Sequence, residues 1–396
     1  MIFSLEVLQA KHGDCLILHF GNKKDPNIIV VDGGPGGVYT KYLKPRLLEI
    51  KQSISDLKPL PIYMVMISHL DDDHANGICM MFDEMVSLKE DGGKKLFKVK
   101  HAWFNTFDDI IGNIEVPNVA SASASSAADE SSVPDYIKEL DYEPLTAVIA
   151  STSQGRQLRN SSKPLSLTVN SPFTGLSSKK IKLVRGDSKE SRVSRDGIKI
   201  TVVSPDQERI EKLQEKWDKD LKEAKKKGDP NIFYASISSM DTSPFNLSSI
   251  ACLVEYKGKK VLLTGDGRSD HILEGLKKNK LLSSTGKLHV DILKMPHHGS
   301  IRNLSPEFLI NVTADNYVIS ADGKHDNPDQ GTLDLMMKHV RKGNVHFTNS
   351  TGENGLDKKM KSFVAKLKKQ KSKIKVNFLE DPANSFSIDL LDKLNY

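Results

Sequence analysis

Cysteine is nearly absent from this chain: Cys15, Cys79 and Cys252 are the only three in 396 residues, far apart and each in apolar surroundings. That excludes a disulfide-stapled scaffold and leads us to expect buried free thiols in a reducing, cytoplasmic setting. Long apolar runs are absent too. No stretch approaches the roughly 20 residues of a membrane helix, so no membrane partner is expected. The segment Met1-Ile2-Phe3-Ser4-Leu5-Glu6-Val7 has neither the basic region nor the cleavage site of a secretion signal and reads as a first strand. Neither sign of charge dominates. Lys and Arg number 57 against 51 Asp and Glu, and the net +6 leans only weakly toward anionic partners such as nucleic acid. What remains, 38% hydrophobic and 27% charged residues, is the composition of a globular chain long enough to bury a large core.

The most informative stretch is His69-Leu70-Asp71-Asp72-Asp73-His74. It follows the apolar run Ile62 to Ile67, which reads as a buried strand, and leads through Ala75-Asn76-Gly77 toward a helix. His69, Asp71, Asp73 and His74 are candidate metal ligands on one strand-end turn, because so dense a set of carboxylates and imidazoles calls for cations to neutralise it. Three further apolar strands end in polar residues of the same kind. Ile28 to Val31 runs into Asp32-Gly33-Gly34, Val261 to Leu263 into Thr264-Gly265-Asp266, and Val290 to Met295 into Pro296-His297-His298-Gly299-Ser300. Strand exits are where layered α/β proteins build their sites.

This order of motifs resembles the metallo-β-lactamase superfamily. It is most similar to the hydrolase branch of the competence DNA-uptake protein ComEC, in a free-standing form. The branch's opening turn is matched by His12-Gly13-Asp14-Cys15, its Asn-rich turn by Phe245-Asn246-Leu247, and its closing stretch by Ser320 to Pro328. The resemblance covers roughly residues 1 to 345. It implies an α/β fold, a four-layered αββα sandwich, to which the chain's own pattern adds a helical insertion and a basic C-terminal helix. It also implies a metal-dependent hydrolase with two divalent ions. His69 and Asp71 would hold one ion, Asp73, His74 and one of His297 or His298 the other, and Asp266 would bridge them. The remaining histidine would support the site or protonate a leaving group, so Asp73, His297 and His298 are the candidate catalytic residues. Asp32 would anchor the site from behind. His12 and Asp14 lie in the opening turn, as site neighbours or as buried, satisfied polar groups. Lys324 and His325 are candidates for gripping a substrate anion.

The chain departs from the pattern at three places. Asp71 replaces the usual second histidine, as in some phosphoesterase members such as phosphocholine esterases. No histidine lies between His101 and His271, so the separate third one is missing, with Asn246 near its place. Asn327 replaces the histidine of the branch's His-Pro. Oxygen ligands gain at the expense of imidazole, which favours Mn, Mg or Fe over Zn; Zn or Mn are the leading candidates for the two ions, with Mg or Fe as further candidates.

We expect one domain over 1–396. A Ser/Ala-rich insertion at 112–134 is poor in large apolar residues. A charged helical insertion at 206–228 carries Ile210, Leu213, Trp217, Leu221 and Ala224 at helical spacing, for docking on the body or on a partner protein. A basic segment at 357–375 has nine lysines, either a solvated face or a strip for a phosphate backbone. The expected function is phosphodiester hydrolysis, with DNA or RNA as the leading substrate. The rival readings are a small-molecule phosphoesterase or other ester hydrolase, and a metal-poor binding module or regulated effector of a bacterial defence operon. Nothing in the sequence sets an oligomeric state.

Overall fold

The computed structural model describes residues 1–54, 58–106, 109–110, 143–174, 182–212, 215, 248–380 and 382–396, with the backbone alone over 143–152. The Ser/Ala-rich insertion, Asn246 and most of the 206–228 insertion lie outside the described residues. Of that insertion's apolar series only Ile210 is described, and it is buried.

The first half of the chain forms β1 (Ile2–Leu8), β2 (Leu16–Asn22), β3 (Asp25–Val31), α1 (Lys44–Ile54), β4 (Leu60–Met66), α2 (Asp72–Glu90), β5 (Phe97–Trp103), α3 (Glu143–Ser162) and β6 (Thr168–Val169). The second forms β7 (Arg192–Arg195), β8 (Ile198–Ser204), β9 (Ala251–Tyr256), β10 (Lys259–Leu263), α4 (Ser269–Lys278), β11 (Leu288–Lys294), α5 (Pro306–Asn311), β12 (Val312–Ile319), α6 (Gln330–His339), β13 (Lys342–Phe347), α7 (Leu356–Lys369), β14 (Lys373–Phe378) and β15 (Ser385–Asp389). Each half repeats one plan, an antiparallel meander followed by parallel strands joined through helices. The strand orders are β15-β1-β2-β3-β4-β5-β6 and β14-β13-β12-β11-β10-β9-β8-β7.

Three apolar clusters define four layers. Phe3, Leu18, Val31 and Met66 of the first sheet meet Ile200, Val254, Leu263 and Val318 of the second in a central core. A second cluster packs α1 and α2 on the outer face of the first sheet, and a third packs α4 to α7 on the outer face of the second. The fold is thus the expected α/β/β/α arrangement. Strands buried on both faces are apolar at nearly every position, as parallel strands under helices must be.

Two features depart from expectation. The basic segment is not all helix: α7 stops at Lys369, Lys371 lies in the turn after it, and Lys373 and Lys375 belong to β14. The chain then crosses back to the first sheet, where β15 pairs antiparallel with β1, Ser4 opposite Asp389 and Leu8 opposite Ser385.

Candidate metal centre

The exits of β3, β4, β10, β11 and β12 converge at one end of the two sheets. After β4 comes Ser68-His69, and α2 starts at Asp72, so that Ala75-Asn76-Gly77, expected to lead into the helix, already lies within it. The N–H groups of His74 and Ala75 both donate to Asp71 O at 2.9 Å and close the first turn. Asp73 and His74 therefore sit where the helix exposes N–H groups that favour acidic residues. Asp71 holds the N-cap position without making a side-chain capping bond; its Oδ2 lies 3.3 Å from His69 Nε2.

The Asp32-Gly33-Gly34 turn packs backbone to backbone on α2. Gly33 N donates to His74 O (2.7 Å) and Gly77 N to Gly34 O (3.1 Å). A Cβ at Gly77 would fall 2.0 Å from Gly33 O, so only glycine fits there. Asp32 is thereby brought under the site. Its Oδ1 accepts from Ser68 N (2.7 Å), and its Oδ2 accepts from Ser68 Oγ (2.8 Å) and His74 Nδ1 (2.9 Å).

Each histidine of the group is held the same way. His298 Nδ1 donates to Ser320 O (3.0 Å) and His297 Nδ1 to Asn303 Oδ1 (2.9 Å), while Asn303 Nδ2 donates to Asp266 O (2.8 Å). His69 Nδ1 lies 3.1 Å from Ser68 Oγ, whose own hydrogen is committed to Asp32. These acceptors set the Nδ1–H tautomer four times and turn four Nε2 lone pairs inward. Consecutive left-handed backbone at His297 (φ 45°, ψ 56°) and His298 (φ 53°, ψ 19°) aims both rings, a conformation that costs of order 1–3 kcal/mol per residue.

The four Nε2 atoms meet around Asp266. Its Oδ2 is 3.8 Å from His69 Nε2 and 3.4 Å from His297 Nε2. Its Oδ1 is 3.3 Å from His74 Nε2 and 3.4 Å from His298 Nε2. Asp73 Oδ2 adds to the second group, 3.2 Å from His298 Nε2 and 3.7 Å from His74 Nε2. His74 Nε2 and His298 Nε2 stand 3.1 Å apart. His69 Nε2 and Asp266 Oδ1 are buried and make no hydrogen bond. Lone pairs packed this closely, without aligned donors, are costly unless a cation lies among them. The donor set fits divalent metal ions.

Titration behaviour follows the same convergence. Burial opposes charge on His298, but the Asp266 and Asp14 carboxylates outweigh it and push the group up to about 10. Burial likewise opposes charge on His74, which Asp266, Asp73 and Asp32 raise well above the ordinary value. Asp266 is held well below the usual range despite its burial, by His297, His298 and His74. Burial opposes charge on Asp73 as well, but His74 and His298 outweigh it and lower its pKa.

His74, His298, Asp266 and Asp14 each offer a buried ligand atom within 4.8 Å of the others. Asp14 differs from the rest. Its Oδ2 is paired with Lys294 Nζ at 2.7 Å, both side chains buried, and its Oδ1 lies 3.6 Å from His298 Nδ1, behind the inward-facing nitrogen. It steadies His298 from outside the ligand group. The sequence reading overlooked Lys294, Ser68, Asn303 and Ser320. Lys294 had a signal: a lysine between Leu293 and Met295 in an apolar strand needs a carboxylate partner.

The other candidates collect at the rim. His12 Nε2 lies 3.4 Å from Lys324 Nζ, and the His12 and His325 rings meet edge to face at 6.4 Å. Burial lowers the His12 pKa, with Asp73 pulling the other way. Asn327 is buried with its Oδ1 making no hydrogen bond.

No family model and no curated protein matches the chain. Solved structures align with it weakly. A provisionally assigned metal-dependent hydrolase from Parabacteroides distasonis aligns over 95% of this chain and 93% of its own, at 12% identity and a TM-score of 0.34. A variant of the CmlA β-hydroxylase aligns over 97% of this chain and 54% of its own, at 11% identity and a TM-score of 0.35. An HARLDQ-motif mutant metallo-β-lactamase from Cronobacter sakazakii aligns over 92% of this chain and 88% of its own, at 11% identity and a TM-score of 0.27. At such scores the likeness carries no argument, and the site stands on its own geometry.

Proposed function

We propose that this chain is a metal-dependent hydrolase of phosphodiester bonds. The observation that carries the reading is Asp266, whose two oxygens face two separate donor sets. His69, Asp71, His297 and Asp266 Oδ2 would hold one ion, and Asp73, His74, His298 and Asp266 Oδ1 the other. Mixed imidazole and carboxylate donors suit Zn, Mn or Fe. Ions held there would supply a water of lowered pKa and would offset charge growing on a phosphoryl oxygen. Asp32, Ser68, Asn303 and Ser320 each hold one imidazole by its Nδ1, which leaves Nε2 as the ligand atom. Asp71, Asp73 and His297 are the partly exposed members, at 22%, 23% and 27%, and face arriving substrate. The ComEC-like motifs and the lysines of α7 support a nucleic-acid substrate. Asp71 supports the small-molecule phosphoesterase reading.

Elemental analysis of the purified protein, followed by incubation with Mn and labelled DNA, RNA and a chromogenic bis-phosphodiester, tests the proposal. About two ions per chain and cleavage of one of these substrates are expected. Absence of both metal and cleavage would leave a binding module as the better reading.

A further inference from the structure

Three nitrogen-bearing side chains gather beside the two ligand sets without belonging to them. His12 lies in the turn between β1 and β2, and Lys324 and His325 lie in the loop after β12. Nε2 of His12 faces the Lys324 ammonium at 3.4 Å, while its Nδ1 faces Asp322 Oδ2 at 3.9 Å. A neutral imidazole satisfies both, accepting from Lys324 and keeping its hydrogen on the Asp322 side. One of the ammonium's three hydrogens is then used and two remain. Lys294 is neutralised by Asp14 (2.7 Å) and Lys359 by Asp326 (2.6 Å), while Lys11 is turned away to Gly36 O (3.1 Å). Lys324 has no carboxylate partner among the described residues.

The trio has a defined place. Next to His12, Gly13 O accepts from Ser320 Oγ (2.5 Å), and Asp14 N donates to Asp73 O (3.2 Å). His12 therefore stands on the Asp73 and His298 side of the centre. The loop that carries Lys324 is pinned from below. Lys359 Nζ donates to Asp326 O (2.6 Å) and Pro328 O (3.0 Å), and Asn354 Nδ2 donates to Gly323 O (2.9 Å). An unneutralised ammonium, held in place at the mouth of a carboxylate-lined site, is a point-charge binder for a phosphate.

We propose that His12, Lys324 and His325 form a subsite for a second phosphate of the substrate, one that is not itself hydrolysed. This rests on the phosphodiesterase reading. It narrows the substrate to molecules with another phosphate next to the scissile one. That group is either the next phosphate of a nucleic-acid strand or the terminal phosphate of a nucleotide.

Equilibrium binding by the full chain tests the subsite without turnover. The probe is a thymidine dinucleotide joined by an uncharged methylphosphonate, with and without a 5′-phosphate. A trinucleotide in which one charged, cleavage-resistant phosphorothioate diester replaces the 5′-phosphate distinguishes the two sources. Wild type should bind the phosphorylated dinucleotide or the trinucleotide at least about tenfold tighter than the uncharged probe, about 1.4 kcal/mol. Lys324→Gln should erase that preference and Lys324→Arg should retain most of it, which separates lost charge from lost fold. Equal affinity of wild type for charged and uncharged probes would overturn the proposal. So would a preference that survives Lys324→Gln combined with His12→Gln. If the preference is present but no diester is cleaved with any metal, the hydrolase reading fails and the subsite stands.

Discussion

At the scale of single residues, the site depends on which atom each side chain presents. One carboxylate, Asp266, serves both donor sets, so its loss cannot be local. Asp266→Ala should reduce bound metal from about two ions to one or none by elemental analysis. Asp73→Asn should lower phosphodiester cleavage at least about a hundredfold while keeping the fold; unchanged rates on every wild-type substrate would reject the role given to Asp73. Lys294 makes a prediction of stability. Lys294→Met leaves Asp14 buried and unpaired, a change that costs about 3–5 kcal/mol. Adding Asp14→Leu should restore much of the loss in denaturant titration, and an additive double mutant would show that the pair is uncoupled. Away from the site, burial opposes charge on Glu6, but His19 and Arg46 hold its pKa down at about 2. The folded value is below the ordinary one of 4.5, so its stabilisation is present above that pH and is lost as pH falls toward 2. Urea midpoints should fall across this window in wild type and much less in Glu6→Gln.

At the scale of elements, the strand exits were legible in the sequence because each pairs an apolar run with polar residues that have no place in a core. Asp32, His69, Asp71, Asp73, His74, Asp266, His297 and His298 all come from such ends, and the structure brings them together. The start of α2 was not legible, because Asp71 occupies the cap position while its side chain serves His69. Nor was the division of His297 and His298 between the two oxygens of Asp266, since it arises from two left-handed residues that no local pattern announces. Lys294 escaped notice because its partner Asp14 is 280 positions away in the chain. The contact between α2 and the β3 exit makes its own prediction. Gly77→Ala places a methyl 2.0 Å from Gly33 O and must push the helix off the turn. We expect a loss of more than about 4 kcal/mol, or a folded protein that no longer retains metal. A variant with wild-type stability and metal content would show that the two backbones can separate freely.

At the scale of the whole molecule, the layers were foreseen and the return of the chain was not. The pairing of β15 with β1 joins residues about 385 positions apart, and neither strand's sequence names its neighbour. The candidate centre has a similar long reach. His69, Asp71, Asp73 and His74 follow a strand of the first sheet, whereas Asp266, His297 and His298 follow strands of the second. A cation held by both groups would be a rivet through the seam between the sheets, and opening either sheet would release it. Ion concentration then sets how firmly the seam is closed: at a thousand times the dissociation constant, binding adds about 4 kcal/mol to the folded state. Chelation should lower the melting temperature and speed amide exchange in β4 and β11 together. Exchange that quickens in one sheet and not in the other would mean that the ions sit on one side of the seam.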